Sequence, residues 1–203
     1  MINQVLFFYV LLCWFVFALA FLIRKRPGHG ETRKRDPSSL LAMALTGVGF
    51  AIVWGMRRPA YSSLLPAAPW LDIPLAIAIF VLAGASVWLV MAGIRTLGEH
   101  WSLTARVIDE HRLVTHGPYA IVRHPIYSGM LGLTLATGLA ISSWPWMIAG
   151  MTVGWYGTHL RIRSEERLLQ EAFGDQFKEY SLRVPALMPR FPMGRPRVSE
   201  AKT

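Results

Sequence analysis

Long apolar runs without charged residues alternate with short basic segments along this chain. The first run, residues 5–23, contains no Asp, Glu, Lys, Arg or His and is long enough to cross the roughly 30 Å hydrocarbon layer of a membrane. No Lys or Arg precedes the run, and Arg24-Lys25-Arg26 follows it, which is typical of a retained span rather than a cleaved signal peptide. A first membrane-spanning helix is therefore predicted.

Three further apolar regions predict four more spans. Residues 38–56 and 73–94 are each long enough for one crossing. Residues 126–158 carry no Asp, Glu, Lys or Arg but are too many for one crossing, and Pro145 near the middle ends or kinks a helix. We expect a tight hairpin there, between a fourth span over about 126–141 and a fifth over about 145–159. Within the fifth, the pattern Gly150-x-x-x-Gly154 predicts a face that contacts another helix.

The composition agrees with an all-α integral membrane protein of about five transmembrane helices. Apolar residues make up 53% of the 203 residues and charged ones 16%, against about 25% charged in an average soluble domain. This apolar excess excludes a disordered chain. The single cysteine, Cys13, excludes a disulfide-stapled secreted module.

The basic residues indicate a membrane partner and an orientation. The net charge is +9, and with so many apolar residues we expect the cations to face anionic lipid headgroups rather than nucleic acid. Nineteen of the 21 Lys and Arg fall in residues 24–37, in residues 95–125 or in the tail from Arg161. Because positive loops stay in the cytosol, the N-terminus is predicted outside and the C-terminus inside, in a multi-pass membrane protein.

Five of the six histidines lie between positions 100 and 159, which raises the question of a metal site. The chain contains no HxxxH, HxxHH or HExxH cluster, and His111 and His116 are five residues apart, a spacing that does not stack them on one helix face. No metal is therefore expected.

Two groups of motifs flank the predicted hairpin. The first group lies before and at the start of the fourth span: His111-Arg112-Leu113-Val114, Gly117-Pro118-Tyr119 and Arg123-His124-Pro125-Ile126-Tyr127-x-Gly129. The second follows the fifth span: Arg161-x-x-x-Glu165-Glu166-x-x-Leu169, Phe173-Gly174-Asp175-x-Phe177-x-x-Tyr180 and Arg183-Val184-Pro185. Over residues 97–190 this set resembles the isoprenylcysteine carboxyl methyltransferase family, whose wider group includes phospholipid N-methyltransferases.

The apolar runs and the resemblance together predict the organisation of the chain. Residues 1–96 would provide three spans, and residues 97–190, with the hairpin over 126–159, a methyltransferase-like catalytic region. A cytosolic site for S-adenosylmethionine would form from the loop before the fourth span and a C-terminal helical tail, in which Glu165 and Glu166 begin a helix directly below the membrane. The polar, Pro-containing residues 191–203 are expected to be a disordered tail.

The resemblance also assigns site residues. It implies cofactor contacts for eleven positions, which are Arg106, His111, Arg112, Leu113, Val114, Tyr119, His124, Pro125, Ile126, Tyr127 and Glu165. It implies that Arg161 faces the substrate. Without it, Arg161 and Glu165 fit a surface i,i+4 ion pair, the two tyrosines an interfacial aromatic belt, and His124 a simple cap of the fourth span.

The leading functional prediction is a methyltransferase that acts on a lipophilic acceptor. A carboxylate acceptor is already ionised at neutral pH and needs no base, and Arg161 would hold it. An amine acceptor must lose a proton, for which His124 or Glu166 is the expected base. The alternatives are a sterol-type NADPH reductase, whose C-terminal half is similar but whose chain is typically longer, and a non-enzymatic lipid-binding scaffold.

Overall fold

The architecture is a bundle of apolar helices with one long helix that continues beyond it. The computed structural model describes residues 2–23, 32–35, 38–59, 62, 64, 68–98, 106–108 and 113–189. Within them lie six α-helices, which are α1 (Ile2–Ile23), α2 (Ser38–Gly55), α3 (Asp72–Leu97), α4 (Pro125–Ile141), α5 (Trp144–Phe173) and α6 (Asp175–Arg183). Each of the first five overlaps one predicted apolar span, so the positions of these helices are confirmed.

The helix surfaces are those of a protein in contact with lipid. The segments Ile2–Leu22 and Pro69–Leu97 are long and apolar enough to cross a membrane, whereas α2 and α4 are apolar but shorter. Large apolar side chains point outward, with 66% of Phe8, 79% of Leu22 and 67% of Trp88 exposed. Exposed apolar surface on this scale is costly in water and favourable against hydrocarbon.

Two short strands depart from the all-helical prediction. β1 (Thr32–Arg35) pairs antiparallel with β2 (Arg106–Ile108), so the segment after α1 meets the segment after α3. Strands of three or four residues hold too few positions for an alternating pattern to appear, and three of the four residues of β1 are charged. The sequence therefore predicts a loop at each place.

The tail differs from the prediction as well, because Glu165 and Glu166 do not begin a new helix. α5 runs unbroken for 30 residues, about 45 Å at 1.5 Å per residue, from the hairpin through both glutamates. The apolar run ends near residue 159, but the strong helix formers that follow carry the helix on. The chain turns at Gly174, where φ is +51°, and α6 follows.

α2 packs closely on α5 through small residues. A Cβ atom on Gly49 would lie 2.6 Å from the carbonyl oxygen of Gly150 and 2.6 Å from the amide nitrogen of Gly154. The predicted contact face of the fifth span is thus confirmed, and only glycine at position 49 allows the two backbones to approach so closely. α3 packs on α4, and α1 contacts both, around a core that includes Val10, Ile79 and Leu133.

Two arginines fix the end of the bundle at which α2 and α4 finish. The Arg58 guanidinium donates hydrogen bonds to the carbonyl oxygens of Leu139 and Ala140, at 2.7 and 2.6 Å, near the end of α4. It thereby satisfies carbonyl groups that have no partner inside the helix. Arg57 lies 5.2 Å from the ring centroid of Phe7. The opposite end of α4 holds the candidate site.

Candidate active site

His124 stands at the start of α4 with its ring between two carboxylates. It occupies the N-cap position, but its side chain makes no capping hydrogen bond. Its Nε2 lies 3.0 Å from Oε1 of Glu166, and its Nδ1 lies 3.8 Å from Oε2 of Glu165. The residue is only 6% exposed, and its backbone N–H donates to the carbonyl of Ala186. The ring therefore does not cap the fourth apolar helix but contacts the two carboxylates.

A second cluster joins Glu165 to Tyr127 and Arg161. The Tyr127 hydroxyl donates to Oε1 of Glu165. Nε of Arg161 donates to the Tyr127 hydroxyl at 2.7 Å and lies 3.4 Å from the same carboxylate oxygen. The i,i+4 pair expected from the spacing does form, but Arg161 is only 6% exposed, so it is not a surface pair. Nη1 of Arg161 also donates to Ser39 Oγ at 2.7 Å, which links α2 to the cluster.

Glu166 is held in its ionised form by Arg123 and His124. Nη2 of Arg123 lies 2.7 Å from Oε1 of Glu166, and Nε donates to the same oxygen at 2.9 Å. Burial by itself would raise the pKa of Glu166, but the hydrogen bonds with His124 and Arg123 and their charges outweigh it, and the pKa lies below the usual value. The carboxylate is therefore ionised at neutral pH.

Two tyrosines join the loop before α4 to α6. The Tyr180 hydroxyl donates to the carbonyl oxygen of Tyr119 at 2.7 Å, and both residues are buried. Burial raises the pKa of Tyr180 to about 12 and raises that of Tyr119 further, so both phenols are neutral at physiological pH. Neither Tyr119, which is buried, nor Tyr127, which is bonded to Glu165, has the environment of an interfacial aromatic belt.

A cavity of about 450 Å³ lies beside these tyrosines. Its lining comes from the loop before α4, the end of α5 and α6: Leu113, Thr115, Phe173, Gln176, Glu179, Tyr180 and Arg183. The volume falls within the roughly 300–1,000 Å³ that is usual for small-molecule sites. Tyr180 borders the cavity and is bonded to Tyr119, which is close enough to Glu165 to feel its charge. The two tyrosines therefore connect the wall of the cavity to the surroundings of Glu165.

The other predicted cofactor residues are distributed as follows. Leu113 lines the cavity, and Val114 next to it is half-buried. Pro125 and Ile126 turn their side chains to α3, where a Cβ on Gly93 would lie 3.3 Å and 3.0 Å from them. Three predictions lie outside the described residues: His111, Arg112 and the side chain of Arg106, whose backbone is in β2.

Three contributors to the clusters are absent from the predicted site. Arg123 and Tyr180 stand in the motif blocks, and their positions there are the signal that could have selected them. Ser39 lies at the start of α2 in a segment without any motif, and only the packing of α2 on α5 brings it to Arg161. The arrangement places a partly exposed carboxylate, Glu165, beside a buried guanidinium, Arg161.

The chain is similar to several members of one family, and also to the cobalt-zinc-cadmium resistance protein CzcN of Cupriavidus metallidurans, which is 37% identical over 106 residues, or 49% of this chain and 46% of that protein. Residues 76–171 match the model of the isoprenylcysteine carboxyl methyltransferase family. Protein-S-isoprenylcysteine O-methyltransferase B of Arabidopsis thaliana is 41% identical over 81 residues, which are 40% of this chain and 41% of that protein. Protein-S-isoprenylcysteine O-methyltransferase of Schizosaccharomyces pombe is 36% identical over 83 residues, which are 41% of this chain and 35% of that protein.

A solved structure extends the likeness to the bundle. The eukaryotic intramembrane Ras methyltransferase, an isoprenylcysteine carboxyl methyltransferase, superposes with a TM-score of 0.55 at 25% sequence identity. The match covers 77% of this chain and 53% of that one. The chain thus spans about half the length of the solved relative and about two fifths of that of the curated ones.

Proposed function

Through residues 76–171 this chain belongs to the isoprenylcysteine carboxyl methyltransferase family, and we propose that it is an integral membrane methyltransferase that uses S-adenosylmethionine. The proposed acceptor is a lipophilic carboxylate such as that of a prenylated cysteine. One observation carries the proposal: Glu165 and Glu166 stand side by side on α5, and each is held by side chains from the motif block at the start of α4.

The residues present fit S-adenosylmethionine, which has a sulfonium cation, an amine, a carboxylate and an adenine. Glu165 offers a carboxylate that Tyr127 and Arg161 hold in place, suited to a cationic group in a site of low dielectric. In the mostly polar cavity beside Tyr180, Leu113 and Phe173 offer apolar surface for an adenine ring, and Gln176 offers an amide that can form hydrogen bonds with it. When bound, the cofactor supplies a methyl group activated by the sulfonium.

Arg161 is the proposed partner of the acceptor's carboxylate. A charge-assisted hydrogen bond from a guanidinium is strong, and it is stronger where water is excluded. The contacts of Arg161 with Tyr127 and Ser39 fix its orientation before any acceptor arrives. Fixed orientation of reacting groups can contribute about 7–11 kcal/mol to catalysis, which matters for a transfer that needs no base.

His124 and Glu166 are proposed to set the geometry of the site rather than to move a proton. Glu166 is ionised and bonded to Arg123, and the His124 ring rests against it. Both ring nitrogens of His124 face carboxylates, so the ring fixes the distance between Glu166 and Glu165. This rigidity keeps Glu165 in place for the cofactor.

The site is proposed to face the cytosol, with five helices crossing the membrane. The clusters lie at the end of α4 that is opposite to Arg58. If five helices cross the membrane, the segments that hold most Lys and Arg lie on the same side as the clusters, which is the cytosolic side. This orientation would give the site access to soluble S-adenosylmethionine and, laterally, to an acceptor dissolved in lipid.

Labelled methyl transfer tests the proposed function. Purified protein in lipid nanodiscs is incubated with methyl-labelled S-adenosylmethionine and an N-acylated S-prenylcysteine, or with the carboxamide of the same compound. We expect label to be transferred only to the free acid. Mild alkali should then release the label as methanol, because methyl esters hydrolyse. Alkali-stable label, or no transfer by folded protein to the acid, would contradict a carboxyl methyltransferase.

A further inference from the structure

Arg123 makes contacts with three separate parts of the chain. Its Nη2 and Nε engage Glu166 on α5. Its Nη1 donates to the carbonyl oxygen of Ser181, at 2.9 Å, and to that of Val184. These carbonyls belong to the last turn of α6 and the residue after it, where a helix leaves acceptors without partners. One guanidinium therefore joins the start of α4 to α5 and to the end of α6.

The segment after α6 is also bound to the start of α4 through its backbone. We refer to residues 184–187 as the strap. The backbone N–H of Arg123 donates to the carbonyl of Pro185 at 2.8 Å, and that of His124 donates to Ala186 at 3.0 Å. The Ser128 hydroxyl donates to the carbonyl of Leu187 at 2.7 Å. The strap thus lies directly against His124.

We propose that Arg123 is a positioning residue, which clamps the strap and α6 to the start of α4 and thereby fixes Glu166 and His124. The inference rests on the proposed function only where cofactor binding is measured. Arginine suits the task because its planar guanidinium carries five N–H donors, enough for a carboxylate and two carbonyls at once. Lysine has the same charge but a single nitrogen, so it can keep the ion pair with Glu166 without also bonding the carbonyl oxygens of Ser181 and Val184.

The clamp has a consequence for pH dependence. The charged and titratable groups around Glu166 are Arg123 and His124 at the start of α4, Tyr180 on α6 and Glu165 beside it on α5. Arg123 helps to keep the pKa of Glu166 low. Removing the guanidinium therefore raises that pKa, so the carboxylate protonates, and loosens its hold on His124, at a less acidic pH.

The test compares Arg123→Gln and Arg123→Lys with Arg163→Gln, which removes an exposed arginine from the same helix as Glu166. Without any ligand, hydrogen exchange at the amides of Arg123 and His124 reports on the strap. We expect exchange to be faster by about tenfold or more in both Arg123 variants and unchanged in Arg163→Gln. Equal protection of these amides in all three variants would overturn the clamp.

A second readout separates positioning from general stability. The affinity for S-adenosylhomocysteine is measured between pH 4 and 8. The pH below which this affinity falls should be higher in Arg123→Gln than in the wild-type protein. In Arg123→Lys it should lie closer to the wild-type value. A decline at the same pH in all variants would reduce Arg123 to a structural contact. If the wild-type protein binds no S-adenosylhomocysteine, the proposed function fails, whereas the exchange measurement still decides the clamp.

Discussion

His124 and Glu166 are 42 residues apart in the chain, yet Nε2 of the first lies 3.0 Å from Oε1 of the second. The hairpin between α4 and α5 brings them together, because it folds the chain back so that the start of α4 meets the extension of α5. The two motif blocks that flank the hairpin in the sequence therefore form a single cluster.

Glu165→Gln should weaken the binding of S-adenosylmethionine. The substitution keeps the size of the side chain but removes the charge that would face the cofactor's cationic groups. We expect the dissociation constant to rise by at least about tenfold, or about 1.4 kcal/mol. Calorimetry on detergent-purified protein measures this change. Glu171→Gln, at an exposed position on the same helix, is the matched control and should bind normally. Normal affinity in a folded Glu165→Gln protein would remove Glu165 from the cofactor site.

Arg161→Leu should impair use of the acceptor more than binding of the cofactor. Loss of a buried charge contact costs on the order of 2–5 kcal/mol, which should appear in kcat/KM for the acceptor. Affinity for S-adenosylhomocysteine should change far less, because Glu165 keeps its bond from Tyr127. Arg163→Leu, which is exposed, serves as the control. Unaltered acceptor kinetics in Arg161→Leu would leave Arg161 with the structural role of joining α2, α4 and α5.

The sequence predicts the elements of this protein better than their contacts. Charge-free runs locate the starts of the five apolar helices within a few residues, because an apolar helix restricts composition over a long segment. The end of the fifth helix is missed, because the apolar signal stops near residue 159 while helix formers continue to Phe173. The strands β1 and β2 are missed because their pairing depends on a distant segment.

The site shows the same division between local pattern and tertiary contact. The spacing of Arg161 and Glu165 predicts that the two side chains meet, and they do. That Tyr127 lies between them and that Ser39 bonds to Arg161 follows from how α2 and α4 pack on α5, which no local pattern encodes. The motif resemblance selects two blocks that the fold brings together, but it does not reveal that Arg123 connects three segments.

Gly49→Ala should destabilise the protein, whereas Gly47→Ala should not. A Cβ at position 49 meets the backbone of α5 at 2.6 Å, and overpacking of this kind costs about 1–3 kcal/mol. A Cβ at position 47 has no atom within 4 Å among the described residues, and alanine favours the helix. Thermal unfolding of the two variants is monitored by labelling of the Cys13 thiol, which is buried in the folded protein and is the only cysteine of the chain. Equal melting temperatures for the two variants would contradict the close packing of α2 on α5.

Reporter fusions test the proposed orientation. A fusion at Thr203 should be scored as cytosolic and one after Arg58 as external, because five crossings place the two positions on opposite sides. Arg57 and Arg58 do not oppose this orientation, since the structure engages them with the Phe7 ring and with carbonyls of α4. Fusions scored on the same side would exclude five crossings and with them a cytosolic site.

Cofactor binding distinguishes the proposed methyltransferase from its two alternatives. Detergent-purified protein is titrated in a calorimeter with S-adenosylhomocysteine and, separately, with NADPH. We expect saturable binding of S-adenosylhomocysteine, weakened by Glu165→Gln, and no binding of NADPH. Binding of NADPH alone would indicate a reductase, and binding of neither would leave a membrane scaffold without a cofactor; each result would contradict the methyltransferase.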